Sequence, residues 1–190
     1  MAPSTFVRRI AVVGAECVGK TTLCEGLAQE LPGHWLPEYL REFCDRLGRT
    51  PQPAEQAHIL QTQIEREALA HRQAAGQGAS WLLCDSAPIV TALYSQMLFQ
   101  DSTLIERALQ HHREYWGTLL LQPDLPWTAD GILRDGPAVR EQFHRLLAQS
   151  LRTAAVQAHG IDGCGPTRLQ QALGLLRAGG TSNFLGTLQG

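Results

Sequence analysis

Lysine is nearly missing from this chain. Of its 16 basic residues one is a lysine, Lys20, and all the others are arginine. In a background tilted this far toward arginine, a lysine persists where a planar guanidinium fork cannot replace a compact ammonium on a flexible stem. An excess of charge is also missing. The formal net charge is -2, which argues against a general nucleic-acid binder, because such proteins carry a basic surplus. No apolar run approaches the roughly 20 residues of a membrane helix, so the chain is read as not membrane-embedded. Residues 1–9 hold no apolar stretch ahead of a cleavage-like site, so no signal peptide is expected. The cysteines are Cys17, Cys24, Cys44, Cys84 and Cys164. Their odd number and the lack of any CxxC pair speak against a disulfide framework or a zinc site, and fit a reducing cytoplasm. Internal repeats are absent as well.

What is present is ordinary globular material: 190 residues, 44% of them hydrophobic, enough for one core. Arg8–Val13 reads as a buried strand, followed by a turn at Gly14 and an amphipathic helix over Thr21–Leu31 with Leu23, Leu27 and Leu31 on one face. A short strand is expected at His34–Pro37, then helices over Glu38–Leu47 and Ala54–Ala75. Trp81–Cys84 is an apolar strand ending at Asp85, and Pro88 opens a helix that reaches Phe99. Ser102–Trp116 is amphipathic, and Gly117–Gln122 is a clear strand. Helices follow over Pro137–Arg152 and Thr167–Arg177, with a polar candidate strand at Val156–Ile161 between them. Strands alternate with helices, and the strands are continuous apolar runs. That pattern predicts an α/β fold with a parallel sheet covered on both faces. One domain is expected over residues 1–178, with a lid at about 124–140 and a flexible tail at 179–190.

The chemistry concentrates after the first strand. Gly14-Ala15-Glu16-Cys17-Val18-Gly19-Lys20-Thr21 fits G-x-x-x-x-G-K-[ST] at every position, between a predicted strand and a predicted helix. The glycines let backbone N–H groups converge on phosphate oxygens, and the helix adds its free N–H groups and positive dipole end. Lys20 is expected to reach the β- and γ-phosphates, and the Thr21 hydroxyl to ligate Mg²⁺. The whole run Gly14, Ala15, Glu16, Cys17, Val18, Gly19, Lys20, Thr21 and Thr22 is thus assigned to ATP.

Further candidates stand at strand ends and in the irregular segment. Asp85 closes its strand at the carboxyl edge of the sheet, where ligands bind; it fits a Mg²⁺ ligand, a contact to a substrate hydroxyl, or a helix cap. Glu38 and Arg41 stand three apart and share a face if helical; they suit a base and a phosphate contact, or a surface ion pair. Residues 124–140 carry Trp127, Asp130, Arg134 and Arg140. A lid there would exclude water, with Arg134 and Arg140 facing the transferred phosphoryl group. Trp127 or Tyr39 is suited to stack on a flat ring. His111 and His112 are read as flanking residues without nearby partners, and not as metal ligands. Three functions fit these residues: a small-molecule kinase, a regulatory or transport-coupling ATPase with no acceptor, and a nucleotide-binding module without turnover.

Taken together, the motifs resemble the ribosylnicotinamide kinase domain of the bacterial NadR-type bifunctional NAD salvage proteins and their standalone relatives. The matching pieces are Gly14-Ala15-Glu16-x-x-Gly19-Lys20-Thr21-Thr22-Leu23, Glu38-Tyr39-x-Arg41-Glu42-Phe43, Asp85, Trp127-x-x-Asp130-Gly131, Arg134, and Arg140-x-x-Phe143. They span about Arg9 to Arg177. The resemblance implies a nucleoside-kinase-like P-loop fold with five parallel strands in the order 2-3-1-4-5. It implies ATP, Mg²⁺ and a small-molecule nucleoside acceptor, most simply nicotinamide riboside, phosphorylated to nicotinamide mononucleotide. It raises Glu38 and Asp85 as acceptor-hydroxyl base and as Mg²⁺ or ribose ligands, with Tyr39, Arg41, Trp127 and Asp130 beside the substrate, and Arg134 and Arg140 as lid arginines. Ala87 stands where the family pattern has an acidic residue. The oligomeric state is left open, a homo-oligomer included.

Overall fold

The computed structural model describes residues 6–127 and 136–179. Five strands form one parallel sheet: β1 (Arg8–Val13), β2 (Gly33–Leu36), β3 (Trp81–Asp85), β4 (Gly117–Leu121) and β5 (Ala158–Ile161). Their order is β2-β3-β1-β4-β5, as the resemblance implies. The register sets Val12 of β1 beside Asp85 of β3, and Val13 beside Leu120 of β4. The helices are α1 (Lys20–Glu30), α2 (Tyr39–Leu47), α3 (Gln56–Gly76), α4 (Pro88–Phe99), α5 (Ile105–His112), α6 (Gly136–Thr153) and α7 (Pro166–Gly179).

The central strands are apolar because both faces are covered. Ile10, Ala11, Val12, Val13, Leu82, Leu83 and Leu121 have no exposed surface, each large one contributing about 1.5–3 kcal/mol of burial. Phe143 of α6 is fully buried and stacks on Tyr94 of α4 at 3.8 Å between ring centroids.

Several boundaries differ from the expectations. Helix α2 begins at Tyr39, and Glu38 precedes it in extended conformation, so Glu38 and Arg41 are not two residues of one helical face. Helix α5 ends at His112 because the chain turns there to enter β4, and Trp116 N donates to Arg9 O at 2.8 Å. The inward stripe of α3 includes Gln56, Gln63 and Glu67 beside Ile59 and Leu60; polar residues at those positions disguise the buried face in the sequence. The expected tail beyond Gly179 and much of the expected lid lie outside the described residues.

Gln63 and Glu67 are satisfied within the fold. Glu67, fully buried, accepts hydrogen bonds from Tyr115 Oη at 2.6 Å and Gln63 Nε2 at 3.0 Å, and pairs with His111 Nε2 at 2.9 Å. Arg9 Nη1 stands 3.9 Å from the same carboxylate. His112 Nε2 meets Thr118 Oγ1 at 2.9 Å. The two histidines therefore have partners and are buried, correcting their reading as unpartnered flanking residues. Burial, and His111 beside it, lower the His112 pKa to about 4. All five cysteines are free thiols; Cys24, Cys44 and Cys84 are buried. No helix among the described residues is long and apolar enough to cross a membrane.

Candidate functional site

The loop after β1 has the geometry the motif requires. A Cβ on Gly14 would stand 2.8 Å from Val18 Cγ2 and 3.2 Å from Leu121 O, so only glycine lets the loop pass this close to β4. Gly19 has φ +80, the left-handed region, and caps α1 without any side-chain hydrogen bond. No acidic residue stands in the first turn of α1. The first N–H groups of the helix thus have no side-chain acceptor from the cap or the first turn, an arrangement suited to an anion. Lys20 Nζ donates to Ala15 O at 2.9 Å and Gly14 O at 3.3 Å, which lays the ammonium across the loop it serves.

Strand β3 delivers Asp85 to the same place. The Thr21 hydroxyl donates to Asp85 Oδ2 at 2.6 Å. Asp85 is 3% exposed, and its Oδ1 is buried without a hydrogen-bond partner. A buried carboxylate oxygen left bare is costly, and a divalent cation beside it removes that cost. A carboxylate and a hydroxyl are hard oxygen donors suited to Mg²⁺, which takes one or two protein ligands and completes its shell with phosphate and water. Among the described residues no group of three or more His, Cys, Asp or Glu side chains could hold a metal ion.

Glu38 reaches the site from the other side, directly after β2. Burial pushes its carboxyl above the usual range, and Asp85 adds to the rise; Lys20, a hydrogen bond from Ser86, and Arg41 oppose it. Its position is set by neighbours that sequence reasoning missed. Ser86 takes a left-handed φ of 70 and anchors its own N–H on Val12 O at 2.9 Å. Gln63 Oε1 accepts from Tyr39 N at 3.0 Å, fixing the first residue of α2 and with it the residue before. Gln63 lies within the predicted helix over Ala54–Ala75, where nothing in the sequence distinguishes it from a solvent-facing glutamine.

In front of these groups lies a cavity of about 450 Å³. Glu16, Cys17, Lys20 and Glu38 form its floor, Leu40, Arg41, Cys44 and Asp45 one wall, and Val90, Thr91, Tyr94, Leu98 and Phe99 of α4 another. Thr50, Pro51 and Gln56 complete it. The Thr50–Pro51 turn is braced by Arg49, whose guanidinium holds Glu55 by two bonds of 2.7 Å. That pairing and the Gln52 N–H bring the Glu55 pKa down to about 2.

The remaining sequence candidates divide. Trp127 Nε1 donates to Glu16 Oε1 at 3.1 Å, so this residue adjoins the phosphate loop but not the cavity lining. Tyr39 is corrected. It is buried in a small cluster with Phe43 and Ile59, its ring edge-on to Phe43 and His58 and covered by the Arg66 guanidinium at 5.3 Å. It cannot stack on a ligand without unpacking that cluster. Arg140 is corrected as well: it is buried, and its two terminal nitrogens donate to Leu125 O and Pro123 O, both at 3.0 Å. It fastens the segment leaving β4 through both terminal nitrogens. Asp130 and Arg134 lie outside the described residues.

Comparison with solved structures agrees with this architecture. A NadR protein in complex with NR superposes with a TM-score of 0.71 at 21% identity, over 91% of this chain and 51% of that one. A NadR protein in complex with NAD and AMP-PNP gives 0.74 at 18% identity, over 97% and 52%. Thymidylate kinase from Ehrlichia chaffeensis gives 0.59 at 15% identity, over 90% and 99%. The chain thus spans about half the length of the NadR proteins and nearly all of the thymidylate kinase. At these identities the likeness is one of fold. No curated protein matches the sequence. The AAA domain profile, in contrast, matches residues 9–168, from the first strand through the phosphate loop to the last helix, and by that match the chain belongs to the AAA domain family.

Proposed function

We propose that this protein is a phosphotransferase that moves the γ-phosphoryl group of Mg-ATP to a hydroxyl of a small nucleoside. The observation that carries the reading is the shared floor of the cavity. Lys20 of the phosphate loop and Glu38, whose carboxyl burial pushes above the usual range, line the same space of about 450 Å³. A site built only for hydrolysis needs no chamber of nucleoside size beside the phosphates; a kinase does.

In this reading the loop amides, the α1 N-terminus and Lys20 bind and orient the triphosphate. Thr21 and Asp85 would hold Mg²⁺, which supplies charge neutralisation at the phosphates when bound. The acceptor lies between α2 and α4, its hydroxyl toward Glu38. Its oxygen bonds to the γ-phosphorus, the bond to the bridging oxygen breaks, ADP leaves, and Glu38 takes the hydroxyl proton. A carboxyl pushed toward neutrality is a better base at neutral pH than an ordinary glutamate. Most of the rate comes from positioning and charge stabilisation. Arg41 and Asp45, four apart on α2 and both lining the cavity, offer polar contacts to the sugar or base.

The acceptor we favour is nicotinamide riboside, giving nicotinamide mononucleotide. Support comes from the Glu38–Phe43 and Trp127–Gly131 sequence blocks and from the fold shared with a NadR protein solved with NR. We place the protein in the cytoplasm on its free cysteines, and take residues 1–178 as one catalytic domain. Incubating the purified protein with Mg-ATP and a panel of nucleosides tests the reading, with ADP release as the signal. Acceptor-dependent release, largest with nicotinamide riboside, is expected. Hydrolysis that ignores every nucleoside would replace the kinase with an ATPase.

A further inference from the structure

The hydrogen-bond pattern around Arg168 assigns this residue a role in nucleotide binding that no motif in the sequence marks. This inference rests on the nucleotide-binding part of the function proposed above. Amides that converge on an anion leave their carbonyls pointing outward, into the protein. In the phosphate loop one such carbonyl is Val18 O, and a buried carbonyl needs a donor. Arg168, in the first turn of α7 and 4% exposed, supplies it: Nη1 donates to Val18 O. The other terminal nitrogen, Nη2, donates to Gln122 O at 2.8 Å and pairs with the Asp124 carboxylate. Asp124 in turn accepts from Gly163 N at 2.6 Å.

One guanidinium therefore ties together three loops on the carboxyl edge of the sheet: the phosphate loop, the exit of β4 and the turn before α7. It also lies directly behind Gly19, where an added Cβ would stand 3.7 Å from Nη1. Gly19 is the residue whose left-handed turn starts α1. A second tie joins the same two loops, since Trp127 beyond β4 donates to Glu16.

We propose that Arg168 is a positioning residue for the nucleotide site: it holds the phosphate loop in its anion-binding shape and couples that shape to residues 122–127. It touches no substrate. Its charge is balanced by Asp124, so its effect on the phosphates runs through the Val18 peptide. A planar fork can serve Val18 O, Gln122 O and Asp124 at once, whereas an ammonium cannot span them in the same plane.

The test is calorimetric titration of Mg-ATP into the native protein, Arg168→Met and Arg168→Lys, with thermal melts of all three. Positioning predicts a loss of affinity of roughly tenfold or more in Arg168→Met and a smaller loss in Arg168→Lys. A folded Arg168→Met with native affinity overturns the inference, even if its melting temperature falls. If that variant does not fold, Arg168→Lys and hydrogen exchange on the native protein decide. Saturating Mg-ATP should then slow amide exchange in 122–127 as well as in 14–21. Protection confined to 14–21 overturns the coupling. A native protein that binds no Mg-ATP sinks the proposed function together with this inference, so the two failures are told apart.

Discussion

The Thr21 hydroxyl donates to Asp85 Oδ2 at 2.6 Å, joining the first turn of α1 to the last residue of β3. Removing the hydroxyl with Thr21→Val leaves a carboxylate that is 3% exposed without either oxygen bonded. In the absence of nucleotide this variant should lose about 1–3 kcal/mol of stability, read as a lower melting temperature. Asp85→Asn should instead abolish the gain in nucleotide affinity on adding Mg²⁺. Titrations with and without Mg²⁺ measure it, and an unchanged Mg²⁺ dependence would remove Asp85 from the metal site.

Lys20 is anchored on two carbonyls of its own loop, and its flexible stem lets it swing from them to a phosphate. Lys20→Ala should abolish turnover. Lys20→Arg should fail nearly as badly, because the fork does not fit the space of an ammonium. A turnover assay in which Lys20→Arg keeps a near-native rate would contradict this placement.

Glu38 links catalysis to stability with opposite signs. Its raised pKa means that the folded protein binds more protons than the unfolded chain at pH values between the ordinary glutamate pKa and the folded one. Stability therefore falls as pH rises through that window. Glu38→Gln removes the ionisable group, so its melting temperature should exceed that of the native protein at neutral pH and approach it near pH 4. The same variant should lower kcat by roughly 10²–10⁴. A variant both slower and less stable at neutral pH would show that the carboxylate is structural.

His112 works in the other direction. With its folded pKa lowered to about 4, the unfolded chain binds more protons between about pH 6.5 and pH 4. Stability should drop across that window as the solution is acidified, by an amount on the order of 3 kcal/mol. Thermal melts of the native protein and His112→Gln should lie closest at neutral pH and diverge at the acid end, where the variant has no imidazole to charge and does not share the native protein's loss.

Arg140 is expected to matter for folding more than for chemistry. Arg140→Ala strands the carbonyls of Pro123 and Leu125 and should cost about 2–4 kcal/mol of stability. In the surviving folded fraction kcat should be within a few-fold of native. A folded variant with a rate lowered a hundredfold would return Arg140 to the phosphoryl group.

The phosphate loop could be read from the order of residues alone, because that structure is local. A strand, a glycine with no room for a Cβ, a left-handed glycine and a helix start are contiguous residues whose backbone requirements can be read in order. The alternation of apolar strands and helices was legible for the same reason. Which distant side chains meet depends on how the strands pair and the helices pack. Pairing of β3 with β1 places Asp85 on Thr21 across 64 residues of chain; packing hides Tyr39, turns Arg140 onto two carbonyls, and buries Gln63, Glu67 and Arg168. A polar residue looks the same in sequence whether it meets water or a buried partner. Its role is set by which loops the sheet brings within hydrogen-bond reach, and that follows from strand order, not from local propensity.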